Sequence, residues 1–196
     1  MKVQSVSSFK MTIQISLLFI FFASACAQPE KNNTAHNAAI KSEEIKPKMD
    51  IHTAVIKGKL EVVKQHIKAG TDMNQKEPMS SATPLMSAIT FNKPAIAKAL
   101  IEANANLSVK NKDGSTALHT AAFFGRIKMV QMLLDAKADK TIKNNFGATP
   151  RETVLGEFAQ MKPVYEMLIQ QLKPMGFVLN LEEVKKARPM IAKMLR

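Results

Sequence analysis

"DGSTALHTAAFFGRIKMVQMLLDAKAD", residues 113–139, holds the pattern that organises the chain. Thr116 opens a run of small and apolar residues that ends at Phe123 and Phe124. Gly125 interrupts it, and a second run follows with Met129, Val130, Leu133 and Leu134. Apolar residues spaced three and four apart form the buried stripe of an amphipathic helix, and glycine accepts the left-handed conformation that ends one. The stretch reads as helix, turn, helix, and a pair of this size cannot bury its own apolar stripe.

Working outward, the pattern recurs. Thr83, Thr116 and Thr149 stand 33 residues apart and open "TPLMSAI", "TALHTAA" and "TPRETVL". An earlier unit, "MDIHTAV", aligns at a spacing of 34, which sets Met49, Ile51, His52 and Ala54 opposite Thr83, Leu85, Met86 and Ala88. The register continues through a second helix, where Val62, Ile96 and Met129 align, as do Val63, Ala97 and Val130, and Ile67, Ile101 and Leu134. A fixed period of this length signals stacked supersecondary units. Thr83 and Thr149 suit N-caps, with Pro84 and Pro150 at the first helical position, where the missing N–H costs nothing. Gly58, Asn92 and Gly125 end the first helices, and Gly70, Asn104 and Lys137 the second, the lysine departing from the pattern. In the fourth unit Arg151 and Glu152 replace apolar and His positions, the polar outer face a terminal repeat needs. About two extra residues precede "PVYEMLIQQL", taken as that unit's second helix.

At these residues the chain resembles the ankyrin-repeat family, whose signature is Thr-Pro-Leu-His-x-Ala, then Gly, an amphipathic helix and Gly-Ala-Asp. The resemblance covers residues 49–172. It implies an all-α solenoid of about four helix-turn-helix units with short β-hairpin loops, the repeats occupying residues 49–173. In residues 174–196, Asn180 is a candidate N-cap with Glu183 three residues on. Leu181, Val184, Ile191 and Leu195 then read as an added capping helix, kinked or restarted near Pro189.

The N-terminal end reads differently. Residues 1–27 form a signal peptide: Lys2 and Lys10, a short apolar core from Ile13 to Ala25, then small residues. Cleavage before Cys26 would leave a lipidated cysteine on the periplasmic face of a bacterial membrane. Cleavage after Ala27 would give a soluble periplasmic or secreted chain. "FASAC" resembles a lipobox with Ala23 where Leu is usual, and Cys26 is the single cysteine. Residues 28–48 are polar and rich in Asn and Lys, a flexible tether in which His36 has no ligand-type neighbour.

Composition narrows the function. With 28 Lys and Arg against 16 Asp and Glu the formal charge is +12, which favours an acidic partner. One Tyr, one Cys and no Trp leave little scope for a disulfide framework, a zinc cluster or a base-stacking platform, and an exported chain whose basic residues are not interleaved with a stacking series is not expected to bind nucleic acid. No nucleophile has a base at a readable spacing, so neither catalytic residues, metal nor cofactor is expected. The resemblance gives His52 and His119 a hydrogen-bonding role in the turns, and His66 falls on the apolar side of its helix. Most of the thirteen methionines, Met86, Met129, Met132 and Met167 among them, sit at helical apolar positions and read as core filler.

The resemblance further implies a concave groove lined by the residues just before each helix-ending Gly. One column reads Lys57, Phe91 and Phe124, the other Ile56, Thr90 and Phe123. Lys76, Lys110 and Lys143 start the hairpins, and Met79, Lys112, Asn145 and Phe146 form the fingertips. The expectation is an exported, monomeric, non-enzymatic protein-binding module with an aromatic groove floor and a lysine rim. The alternative is an accessory, chaperone or immunity protein for a specific periplasmic enzyme or toxin.

Overall fold

The computed structural model describes residues 47–196, so the signal peptide, Cys26 and all but the end of the tether lie outside the described residues. Three short helix pairs come first: α1 (Ile51–Ile56) with α2 (Leu60–Lys68), α3 (Pro84–Thr90) with α4 (Pro94–Glu102), and α5 (Ala117–Phe123) with α6 (Ile127–Asp135). The helices α1, α3 and α5 form an inner row, and α2, α4 and α6 an outer row. A 3-10 turn at Glu152–Val154 continues the inner row against α5. After it come α7 (Phe158–Leu172), a 3-10 turn at Lys173–Met175 and α8 (Leu181–Met194).

The caps follow the sequence signals. Thr83 Oγ1 accepts the Met86 N–H at 3.3 Å, and Asp50, with no Thr-Pro beside it, does the same for Thr53 at 2.9 Å. Gly58, Asn92 and Gly125 have φ of 69°, 52° and 68°, and Lys137 closes α6 at φ 63°, which costs a non-glycine residue about 1 kcal/mol. His119 ties one unit to the next. Its Nδ1 accepts the Thr116 N–H at 3.2 Å, so Nε2 carries the proton and donates to Ala148 O at 3.0 Å. In the fourth unit Glu152 takes over the cap, Oε2 accepting from Thr149 N at 2.7 Å and Thr149 Oγ1 at 2.8 Å.

The helix that completes the fourth unit is α8, whereas the spacing assigned that place to residues 163–172. Ala187 and Ile191 of α8 and its C-cap Leu195 join the same apolar core as Val63, Leu100 and Leu133, and α7 contributes nothing to it. α8 runs alongside α6. A methyl group on Gly125, just before α6, would lie 3.1 Å from Val184 Cα, and Lys140, just beyond α6, donates its ammonium to Arg196 O. The repeats therefore do not stop at residue 173, and residues 155–180 are an insertion between the two halves of the last unit. Asn180 caps α8 as expected, accepting from Glu182 N and Glu183 N, and the helix passes through Pro189 without restarting. Among the described residues there is no β-strand. Each hairpin is a tight loop with a backbone bond across its base, Glu77 N–H to Ala82 O, Asn111 N–H to Ser115 O and Asn144 N–H to Ala148 O, and a second returning to the first residue from Ser81, Gly114 and Gly147 N–H.

The place of α8 can be read from stability. Ile191→Ala should cost about 2–5 kcal/mol in urea unfolding, because it empties a fully buried site. Met167→Ala on α7, where the side chain is 48% exposed, should change stability by about 0.5 kcal/mol or less. The opposite ranking would return α7 to the stack.

Histidine burial sets an acid limit. Burial pushes His119 below its ordinary value of 6.5, and it does the same to His52 against the opposing pull of Glu77 and Asp50. The unfolded chain then takes up protons first, so stability falls as pH drops through about 6.5 towards the folded-state values. Glu77, held low by hydrogen bonds from Ser80 and Met79 despite burial, extends the loss below about 4.5. Neither ring nitrogen of His52 has a hydrogen-bond partner, and the second unit has Met86 at the same position. His52→Met should make the fall in melting temperature between about pH 7 and pH 5 shallower. Parallel curves for variant and wild type would remove His52 from that titration.

Candidate functional site

The expected groove is occupied at its third unit by the chain itself. Phe124, assigned to an accessible aromatic floor, is 7% exposed, and Phe91 and Phe123 are half-buried. Six aromatic rings connect in series. Phe158 lies 5.8 Å from Tyr165, Tyr165 4.6 Å from Phe123, and Phe123 5.0 Å from Phe124. Phe177 then meets Phe124 edge-on at 5.6 Å and Phe91 at 5.9 Å. Tyr165 is fully buried, and its hydroxyl donates to Phe123 O at 2.7 Å while accepting from Arg188 Nη1 at 3.4 Å. Burial raises the Tyr165 phenol above its ordinary value. The correction has a definite source: α7 lies outside the stack, and Tyr165 on it and Phe177 beyond it cover the residues that were to form the floor.

The finger loops carry the remaining expected residues, and one lysine among them is engaged within the chain. Lys76, Lys112 and Lys143 are exposed, as is Lys57 in the open part of the groove. Lys110 is exposed too, but its ammonium is committed to Lys143 O at 2.9 Å. Asn145 is a strut: its N–H reaches Asp113 O at 2.9 Å and its Nδ2 reaches Lys112 O at 3.1 Å. Lys112 N–H in turn donates to Ser80 O at 2.8 Å, so the three loops are laced side by side. Gly114, at φ 72°, lets them meet, since a Cβ there would fall 2.7 Å from Asn145 N.

Two loop residues that sequence reasoning missed hold this shape. Asn111 Oδ1 accepts from Asp113 N and Ser115 N, and Asn144 Oδ1 accepts from Phe146 N and Ala148 N, each at about 3 Å. Their signal was present, since they stand 33 residues apart, each three residues before a glycine. Glu77 does the same work in the first loop, accepting from Met79 N at 2.7 Å and Ser80 N at 2.5 Å. On loops fixed in this way, Met79 is 82% and Phe146 79% exposed. Large apolar side chains so exposed on rigid loops are the available contact groups of this surface.

His66 and His119 are spent on structure, whereas His52, expected to hydrogen-bond its turn, has no hydrogen-bond partner on either ring nitrogen. His66 contacts Thr71 Oγ1 at 3.0 Å and Met49 O at 2.8 Å, which fixes the start of the first unit, and both ring nitrogens of His119 are engaged. No three His, Cys, Asp or Glu side chains among the described residues gather as metal ligands, and no described helix is long and apolar enough to cross a membrane.

Comparison with known proteins agrees with this geometry. The ankyrin-repeat family profile, in three copies, matches residues 51–144, and stops before the unit that α7 interrupts. No curated protein matches the chain. The crystal structure of the ankyrin repeat domain of Bcl-3, described as a unique member of the IkappaB protein family, superposes with a TM-score of 0.51 at 29% identity. The match covers 53% of this chain and 45% of that one, so the chain spans under half the length of the domain it resembles. Laced finger loops, paired short helices with left-handed caps and a matching family model together show that residues 51–144 are ankyrin repeats.

Proposed function

We propose that the chain is an exported, non-enzymatic protein-binding module that holds an acidic protein partner through its finger loops. Ankyrin repeats mediate protein–protein interaction in general, which supports the class. The observation that carries the surface is the pair Met79 and Phe146, exposed on laced loops beside Lys76, Lys112 and Lys143. Apolar anchors supply most of the energy of such a contact, and flanking charges speed the encounter. Loops already fixed by Asn111, Asn144 and Asn145 lose little freedom on binding. Lys57, Ile56 and Thr90 in the open part of the groove extend the surface. Export rests on the leader-like first 27 residues, and membrane attachment on Cys26.

Cross-linking in an envelope fraction tests the surface. Wild type should capture an acidic protein, and Met79→Ser with Phe146→Ser should reduce capture about tenfold or more, at an unchanged melting temperature. Equal capture by the double variant would move the site elsewhere. Labelling with a radioactive fatty acid tests the address: label should enter wild type and be absent from Cys26→Ser, and an unlabelled wild type would overturn the lipid anchor.

A further inference from the structure

We propose that the C-terminal end of the stack carries a second binding site, which takes an acidic peptide segment bearing an apolar side chain. A cleft of about 490 Å3 lies between the Glu152–Val154 turn, the start of α7 and the outer side of α8. Five cations line it, namely Arg151, Lys185, Arg188, Lys193 and Arg196, and no Asp or Glu does among the described residues. Leu155, 51% exposed, and Phe158 supply an apolar wall.

Arg188 is the group that asks for a ligand. It is 4% exposed, and its guanidinium donates to neutral acceptors, Gly156 O at 2.7 Å and Tyr165 Oη at 3.4 Å. None of the ion pairs among the described residues includes it. A buried cation held by a carbonyl and a phenol is oriented but not neutralised, and an incoming carboxylate would supply the missing charge. The other cations lie at the rim, where Lys185 and Lys193 are exposed.

The position of the cleft explains why it is open. It stands where a fifth repeat would stack, and Arg151 occupies the place that Leu85 and Leu118 hold in earlier units. A second copy of this chain would bring the same five cations against the first and be repelled. A peptide side chain enters a cleft of this size, within the roughly 300–1,000 Å3 range of ligand pockets, while its carboxylates meet the rim.

The test is fluorescence anisotropy of a short fluorescein-labelled peptide of Glu and Leu titrated with the full chain. Saturable binding is expected, with the matching Gln and Leu peptide about tenfold weaker or more. Lys185→Glu with Lys193→Glu should weaken the acidic peptide about tenfold at an unchanged melting temperature, with Lys185→Gln and Lys193→Gln as the variant if charge reversal unfolds the chain. Met79→Ser with Phe146→Ser should leave it unchanged, which separates this site from the finger loops. Equal affinity for the neutral peptide, or charge variants that bind as wild type does, would overturn the proposal. So would binding to phosphatidylserine vesicles without binding to the peptide, because it would assign the cations to a lipid surface.

Discussion

Each helix pair in this chain presents an apolar face that only its neighbour can cover. Val63, Leu100, Leu133 and Ile191 belong to four successive outer helices and are all fully buried, yet none would be dry in its own unit. A single pair buries too little surface to offset the entropy of ordering it. Most other features answer this requirement. His119 bridges Thr116 to Ala148 across the unit boundary, the finger loops are laced by Asn145, and Glu152 caps the last inner turn where no further loop remains to be reached.

The insertion between the halves of the fourth unit changes the functional surface. Of the fifteen residues of α7 only Tyr165 is buried, so the helix is held by its aromatic contacts and by the hydroxyl bond to Phe123 O. Those contacts and Phe177 remove Phe124 from solvent and fill the groove at the third unit. Met79 and Phe146 remain the large apolar side chains exposed on the finger loops. The same insertion sets Phe158 and Leu155 beside α8 and so shapes the terminal cleft.

The periodic part of this architecture was legible from sequence because local chemistry repeats in it. Thr83 before Pro84, Asn92 in the place of Gly58 and Gly125, and Asn180 before Glu183 each carry a short-range reason for their position, and each sits as that reason requires. The exchange of α7 for α8 was not legible. Both segments are amphipathic, and periodicity cannot tell which of two apolar stripes reaches α6. What decides is a steric detail: Ala187 approaches Gly125 closely, with 3.3 Å to a Cβ placed there. The burial of Phe124 was hidden for the same reason, since its cover arrives from Phe177, 53 residues away along the chain (177 − 124). Asp50 was missed as a cap because the register that set Met49, one residue earlier, opposite Thr83, Thr116 and Thr149 left Asp50 off the cap position.

The gap between Val154 and Leu181 also governs the order in which the molecule assembles. In the third unit three residues, Phe124 to Arg126, join the inner to the outer helix, whereas residues 155–180 separate the corresponding elements of the fourth. That is about three doublings of loop length, and closing the longer loop costs about 2 kcal/mol more. The local contacts of the first three units form without this penalty, whereas packing α8 against α6, where Met129, Val130 and Leu133 are buried, carries it. Completing the last unit therefore carries a closure cost that the first three units do not.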